Sequence, residues 1–130
     1  MMSIKPRFAE AILRGEKTME FRRTRPGLEP GTRVLIYASA PVKAVVGWFE
    51  VGQIHDLSPE RLWGHAAACG GVTRDEFDAY FAGCELAFGI ELARTGRIEP
   101  TSPGIRPPQS WQYLREALHG HRALMALSQA

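Results

Sequence analysis

One hundred and thirty residues are enough for one domain with a real core and too few for two, and the chain is read as a single domain over 1–130. Its 45% apolar and 23% charged composition is that of a soluble globular protein, and no apolar run approaches the roughly 18 to 20 residues a membrane-spanning helix needs. The net charge of +2 is unevenly placed: residues 1 to 43 carry nine Lys and Arg against four Asp and Glu, residues 44 to 93 two against eight, and residues 94 to 130 five against two. A basic lobe beside an acidic one suits a phosphate-bearing ligand on one side of the molecule. Thirteen of the sixteen cations are arginine, the side chain suited to bidentate phosphate contacts. Met1 to Pro6 lack the apolar stretch of a signal peptide, so the expected location is cytoplasmic, with no membrane partner. Cys69 and Cys84 have neither C-x-x-C spacing nor a histidine at ligand spacing; the expectation is two inert thiols, no metal and no cofactor.

Ser3 to Lys5 form a short opening strand, stopped by Pro6, which suits a first helical turn. Phe8, Ala9, Ala11, Ile12 and Leu13 then recur at helical spacing, and Gly15 closes the helix as its C-terminal cap. The chain arrives directly at Lys17-Thr18-Met19-Glu20-Phe21-Arg22-Arg23, read as a strand. Alternation puts Thr18, Glu20 and Arg22 on one face and the apolar anchors Met19 and Phe21 on the other, with Lys17 at the start. Two readings of that polar face stay open: a binding or catalytic wall, or a solvated surface of ion pairs, which are worth little when exposed.

Arg25 to Gly31 is a proline-glycine double turn. Val34 to Ser39 is a near-continuous apolar run, the pattern of a strand buried on both faces. Lys43 to Ile54 is the longest strand candidate, and its interior Gly47 and Gly52 mark bulges or close backbone approach. Ser58-Pro59 starts a helix that runs toward Gly70-Gly71, and Thr73-Arg74-Asp75-Glu76 has capping-box spacing ahead of the aromatic stripe Phe77, Tyr80 and Phe81. Leu86 to Leu92 returns to strand character, and Arg94 to Pro108 is read as a loop. Ser110 caps a last helix carrying Trp111, Leu114 and Leu118. His119 and His121 near the chain end read as surface residues rather than ligands.

The fold class is therefore α+β, built on a curled sheet. At this point the chain resembles the ASCH domain family of the PUA-like superfamily. An apolar helix is followed by G-x-K-x-x-E-x-R, met by Gly15, Lys17, Glu20 and Arg22. Ile4-Lys5-Pro6, Tyr37-Ala38-Ser39 and Pro107-Pro108-Gln109-Ser110-Trp111 add to the likeness, which covers about residues 3 to 115. The resemblance implies a small β-barrel of five or six strands with flanking helices, a cleft carrying the signature residues, and a role with RNA or a modified nucleoside or nucleotide.

Three function classes follow, of which the plainest is a protein-interaction domain using the basic face; the other two involve RNA or nucleotides. In the first of these, the chain is a binding module for RNA or a modified nucleotide, its site formed by Lys17, Thr18, Glu20, Arg22, Tyr37, Ser39, Gln109, Ser110 and Trp111. Lys17, Arg22 and Arg23 would meet phosphate or a base edge, Glu20 would accept from an amine, and Tyr37 or Trp111 would stack, unless these aromatics simply pack in the core. In the second, it is a small hydrolase of acylated nucleosides or RNA, an amidohydrolase or ribonuclease, with Lys17 as base and Glu20 assisting. Family amidohydrolases use a threonine three residues after the lysine. This chain has Glu20 there, so Ser39 and Ser110 are the candidate hydroxyls.

Overall fold

The structure, a computed structural model, describes residues 1–103. Its elements in order are β1 (Met2–Ile4), α1 (Pro6–Leu13), β2 (Met19–Arg22), β3 (Arg33–Ala38), β4 (Ala44–Leu57), α2 (Pro59–Ala66), a short 3-10 turn (Ala67–Cys69), α3 (Arg74–Phe81) and β5 (Ala87–Thr101). Gln109, Ser110 and Trp111, with the last helix expected there, lie outside the described residues.

The five strands form one mixed sheet in the order β1-β3-β4-β5-β2, parallel between β1 and β3 and antiparallel elsewhere. The α+β class and the family's curled sheet are as expected, but no ladder joins β1 to β2, so the barrel is open along one seam. Register shifts within the β3–β4 and β4–β5 ladders curl the sheet. At Gly47, inside one of these irregularities, a Cβ would stand 2.4 Å from the carbonyl oxygen of Gly96, so the close backbone approach admits only glycine.

The loop expected from Arg94 to Pro108 is overturned up to Thr101: β5 continues to that residue. Its cross-strand partners on β4 hold it, Arg97 facing Gly47 and Thr101 facing Val45, and Ile98 is buried. Among the described residues β2 pairs with Phe88 to Glu91, and no other described strand pairs with that side of β5 beyond them.

Three apolar clusters hold the sheet. Val34, Ile36 and Ala38 of β3 pack with Phe49, Val51 and Ile90 and with Ala9 and Ile12 of α1. The alternate β3 residues Leu35 and Tyr37 pack on the other face with Met1, Val45 and Ile98, so β3 is buried on both sides as its apolar run predicts. Met19 and Phe21 of β2 join Leu62 and Ala66 of α2 and Phe77 and Phe81 of α3. Edge-on contact of Phe21 with Phe77, centroids 5.4 Å apart, contributes about 0.5 to 1.5 kcal/mol beyond area burial. Serine and threonine caps start both later helices. Ser58 Oγ accepts from Arg61 N, and Thr73 and Glu76 form the complete capping box. No described helix is long and apolar enough to cross a membrane.

Candidate functional site

The end of α1 delivers Lys17 to the open seam. Gly15, at φ +79°, takes the left-handed conformation; its N–H donates to Ile12 O at 3.0 Å and the Glu16 N–H to Ala11 O at 2.9 Å, the pair of bonds of a Schellman motif. The Lys17 N–H also reaches Ala11 O, at 3.1 Å, folding the chain back over the helix end. From the other side Thr18 N donates to Cys69 O at 3.2 Å, and Gly70 and Gly71, both at positive φ, pass against the lysine. A Cβ on Gly71 would lie 2.7 to 2.9 Å from the Lys17 side-chain carbons, so only glycine lets this segment press that close.

Lys17 is in consequence 2% exposed. Its Nζ donates to Met19 O, stands 3.5 Å from Glu20 Oε1 and lies 4.4 Å from the centre of the Phe21 ring. Burial pulls its pKa below the ordinary lysine value. The charge and hydrogen bond of Glu20 oppose that shift, and the charge of Arg22 adds to it. Arg22 Nη2 meets the second Glu20 oxygen, Oε2, at 2.9 Å and Ser3 O at 3.3 Å. Glu20, itself 8% exposed, is thus held between two cations. The Arg22 Nε is buried and makes no hydrogen bond among the described residues.

These three side chains line a hollow of about 300 Å³ at the seam. Phe8, Phe21, Phe77, Tyr80, Ile4 and Val72 supply its apolar wall, while Ser3, Lys5, Arg7 and Glu76 also border it. The Tyr80 hydroxyl donates to Phe21 O at 3.3 Å. Arg7 pairs with Glu76 across the lining. Hydrogen bonding to Thr73, and then Arg7, hold the Glu76 carboxyl below its usual pKa.

Of the residues expected at the site, Lys17, Glu20 and Arg22 converge. Thr18 is exposed and outside the lining, because regular alternation begins only at Met19. Tyr37 is buried in the second apolar cluster, and Ser39 follows β3 with its N–H on Ile4 O; neither borders the hollow. Ser3 and Tyr80 supply the only side-chain hydroxyls among the described lining. Sequence reasoning missed Ser3, Tyr80 and Gly70-Gly71. The adjacent glycines are a readable sign of an unusual backbone, but their target is not readable. No group of three or more His, Cys, Asp or Glu is placed to hold a metal among the described residues.

The ASCH domain profile matches residues 2–101. An ASCH domain-containing ribonuclease of Zymomonas mobilis is 32% identical over 124 residues, covering 89% of this chain and 84% of the relative. The crystal structure of ASCH from Zymomonas mobilis superposes with a TM-score of 0.88 at 31% identity, covering 98% of this chain and 93% of that one. The large ribosomal subunit protein uL22 of Ureaplasma parvum is 29% identical over 91 residues; the match takes in 69% of this chain and 29% of that protein.

Proposed function

Because the chain belongs to the ASCH domain family, we propose that it acts on RNA and that the hollow at the sheet seam takes one nucleotide of a single strand. The observation that carries this reading is the convergence of Lys17, Glu20 and Arg22, all largely buried, on one wall of a cavity whose other walls are aromatic. A volume of about 300 Å³ is at the small end of ligand pockets, which suits one splayed-out nucleotide and excludes a duplex. Arg22 Nε is buried without a hydrogen-bond partner among the described residues, and Lys17 and Arg22 put two cations on the lining of the hollow, which suits a phosphate-bearing ligand. Phe8 and Tyr80, both only partly buried, offer ring surface at the lining, and stacking of a base on such a ring is worth roughly 1 to 3 kcal/mol. The Lys17–Glu20 pair favours the protonated lysine, which makes binding the first reading.

Phosphodiester cleavage is the second reading, favoured by the burial that lowers the Lys17 pKa and by the ribonuclease named among the relatives. A neutral Lys17 would take the proton of a ribose 2′-hydroxyl as its oxygen bonds to phosphorus. The phosphorus–O5′ bond would break, and the leaving oxygen would take a proton from water. Arg22 would offset the negative charge that builds on the phosphoryl oxygens.

Incubating labelled single-stranded RNA with the wild type and with Lys17→Ala separates the two readings. Saturable binding without fragments supports recognition alone, and fragments that disappear in the variant support cleavage. RNA neither bound nor cut by the wild type overturns both.

A further inference from the structure

The seam has cations at both ends that the inner cluster does not use. At the end of β1, Lys5 borders the hollow and makes no ion pair among the described residues, while its neighbour Arg7 is paired with Glu76 and lies 4.5 Å over the Phe8 ring. Just after β2, Arg23 is exposed and has no carboxylate partner among the described residues; its guanidinium lies 4.7 Å from the centre of the Tyr80 ring. Tyr80 borders the hollow, and its bond to Phe21 O fixes the ring on which Arg23 rests. Arg14, Arg25, Arg74, Arg94 and Arg97 each pair with a carboxylate, and Lys43 and Arg61, which make no ion pair among the described residues, lie outside the lining.

Sheet topology places Lys5 and Arg23. β1 runs parallel to β3, and three antiparallel steps through β4 and β5 lead to β2, so β1 and β2 run in opposite senses. Lys5, following β1, and Arg23, following β2, therefore lie toward opposite ends of the seam.

We propose that the ligand is a continuous single strand of RNA laid along this seam, with Lys5 on a phosphate to one side of the hollow and Arg23 on a phosphate or base to the other. This rests on the RNA reading above and adds that the strand is held on both sides of the hollow, by Lys5 and by Arg23, beyond the one nucleotide that the hollow takes. A ligand confined to the hollow would leave Arg23 unengaged. A guanidinium stacked on an aromatic ring has its second face open to a base and its edge open to a phosphate.

Affinity for a nucleoside monophosphate and for a single-stranded RNA of about six nucleotides, a length within the range one small domain covers, tests it in the wild type and in Arg23→Ala. Arg23 is exposed, so the variant keeps its fold, and thermal unfolding checks this. The oligomer is expected to bind about tenfold tighter than the monomer, and Arg23→Ala to remove most of that advantage while leaving the monomer unchanged. The salt dependence of oligomer binding should flatten by about 0.7 in log–log slope for each phosphate that is no longer neutralised. Equal affinity for the two ligands, or an equal loss for both in the variant, overturns the strand proposal and leaves the hollow's reading standing. Failure of both ligands to bind the wild type overturns the RNA reading itself.

Discussion

Arg22 Nη2 donates to the carbonyl oxygen of Ser3 at 3.3 Å, so a side chain joins β2 to β1 where a closed barrel would have a backbone ladder. The same nitrogen is 2.9 Å from Glu20 Oε2, which makes the seam's clasp and the site's inner cluster one network. Arg22→Met keeps the stem and removes both bonds, while Glu20 keeps Lys17. The expected cost is about 1 to 3 kcal/mol, with faster amide exchange in Met2 to Ile4 than in β4. Unchanged exchange in β1 would show that the clasp does not hold the seam.

The two cations around Glu20 predict an asymmetry. Lys17→Met leaves a one-to-one pair of Glu20 with Arg22 and replaces a buried ammonium by an apolar chain of similar length, so stability should stay within about 1.5 kcal/mol of wild type or exceed it. Glu20→Leu leaves two cations facing one another without their acid and should cost about 3 to 5 kcal/mol. Urea unfolding of the two variants measures this, and the reverse order would contradict the electrostatic account.

Gly71→Ala should disturb the site from outside it. The substitution strains a backbone at φ +86° and drives a methyl into the Lys17 stem, at a cost of roughly 1 to 3 kcal/mol. Burial is the largest cause lowering the Lys17 pKa, so displacing the diglycine should raise it, as NMR titration would read. Gly64→Ala, on α2 with open space around it, is the control and should be stabilising by up to about 1 kcal/mol with the Lys17 titration unchanged. A Gly71→Ala protein with the wild-type Lys17 titration would mean that this segment does not seal the lysine.

Stability should also follow Lys17 through pH. Its folded pKa lies below the unfolded value of about 10.5, so between the two the unfolded chain binds the extra proton. The burden of the buried charge is full below the folded pKa and is relieved as pH rises toward 10.5. The wild type should therefore gain on Lys17→Met as pH rises through that window, in paired denaturant titrations. Glu76 acts in the opposite range. Its carboxyl is held below the ordinary 4.5, so its contribution is present above that value and lost as pH falls through the folded pKa. A wild type that loses ground to Lys17→Met on alkalinisation would contradict the direction given for the lysine.

Much of this molecule is legible from local rules. Gly15 announces the end of α1, Ser58-Pro59 and Thr73 with Glu76 announce the next two helices, and the apolar run of β3 announces burial on both faces. The bringing together of Lys17, Glu20 and Arg22 follows from short spacing on one strand and its entrance. What escapes local rules depends on contacts distant in sequence. Ser3 and Tyr80 border the hollow only because the sheet curls its outer strands together and α3 packs on Phe21. Arg94 to Thr101 looks like a loop by its glycine and proline, yet pairing with β4 makes it strand. Thr18 falls on the wrong face when alternation is extended past the strand's true start at Met19.

Locating bound RNA on the protein tests the central claim most directly. Single-stranded RNA carrying a photoreactive pyrimidine, irradiated with the protein and read by mass spectrometry, should crosslink to Phe8, Phe21, Phe77 or Tyr80 around the hollow, and the crosslinks should fade in Lys17→Met. Crosslinks gathered instead on the opposite sheet face around Trp48, undiminished in that variant, would contradict it.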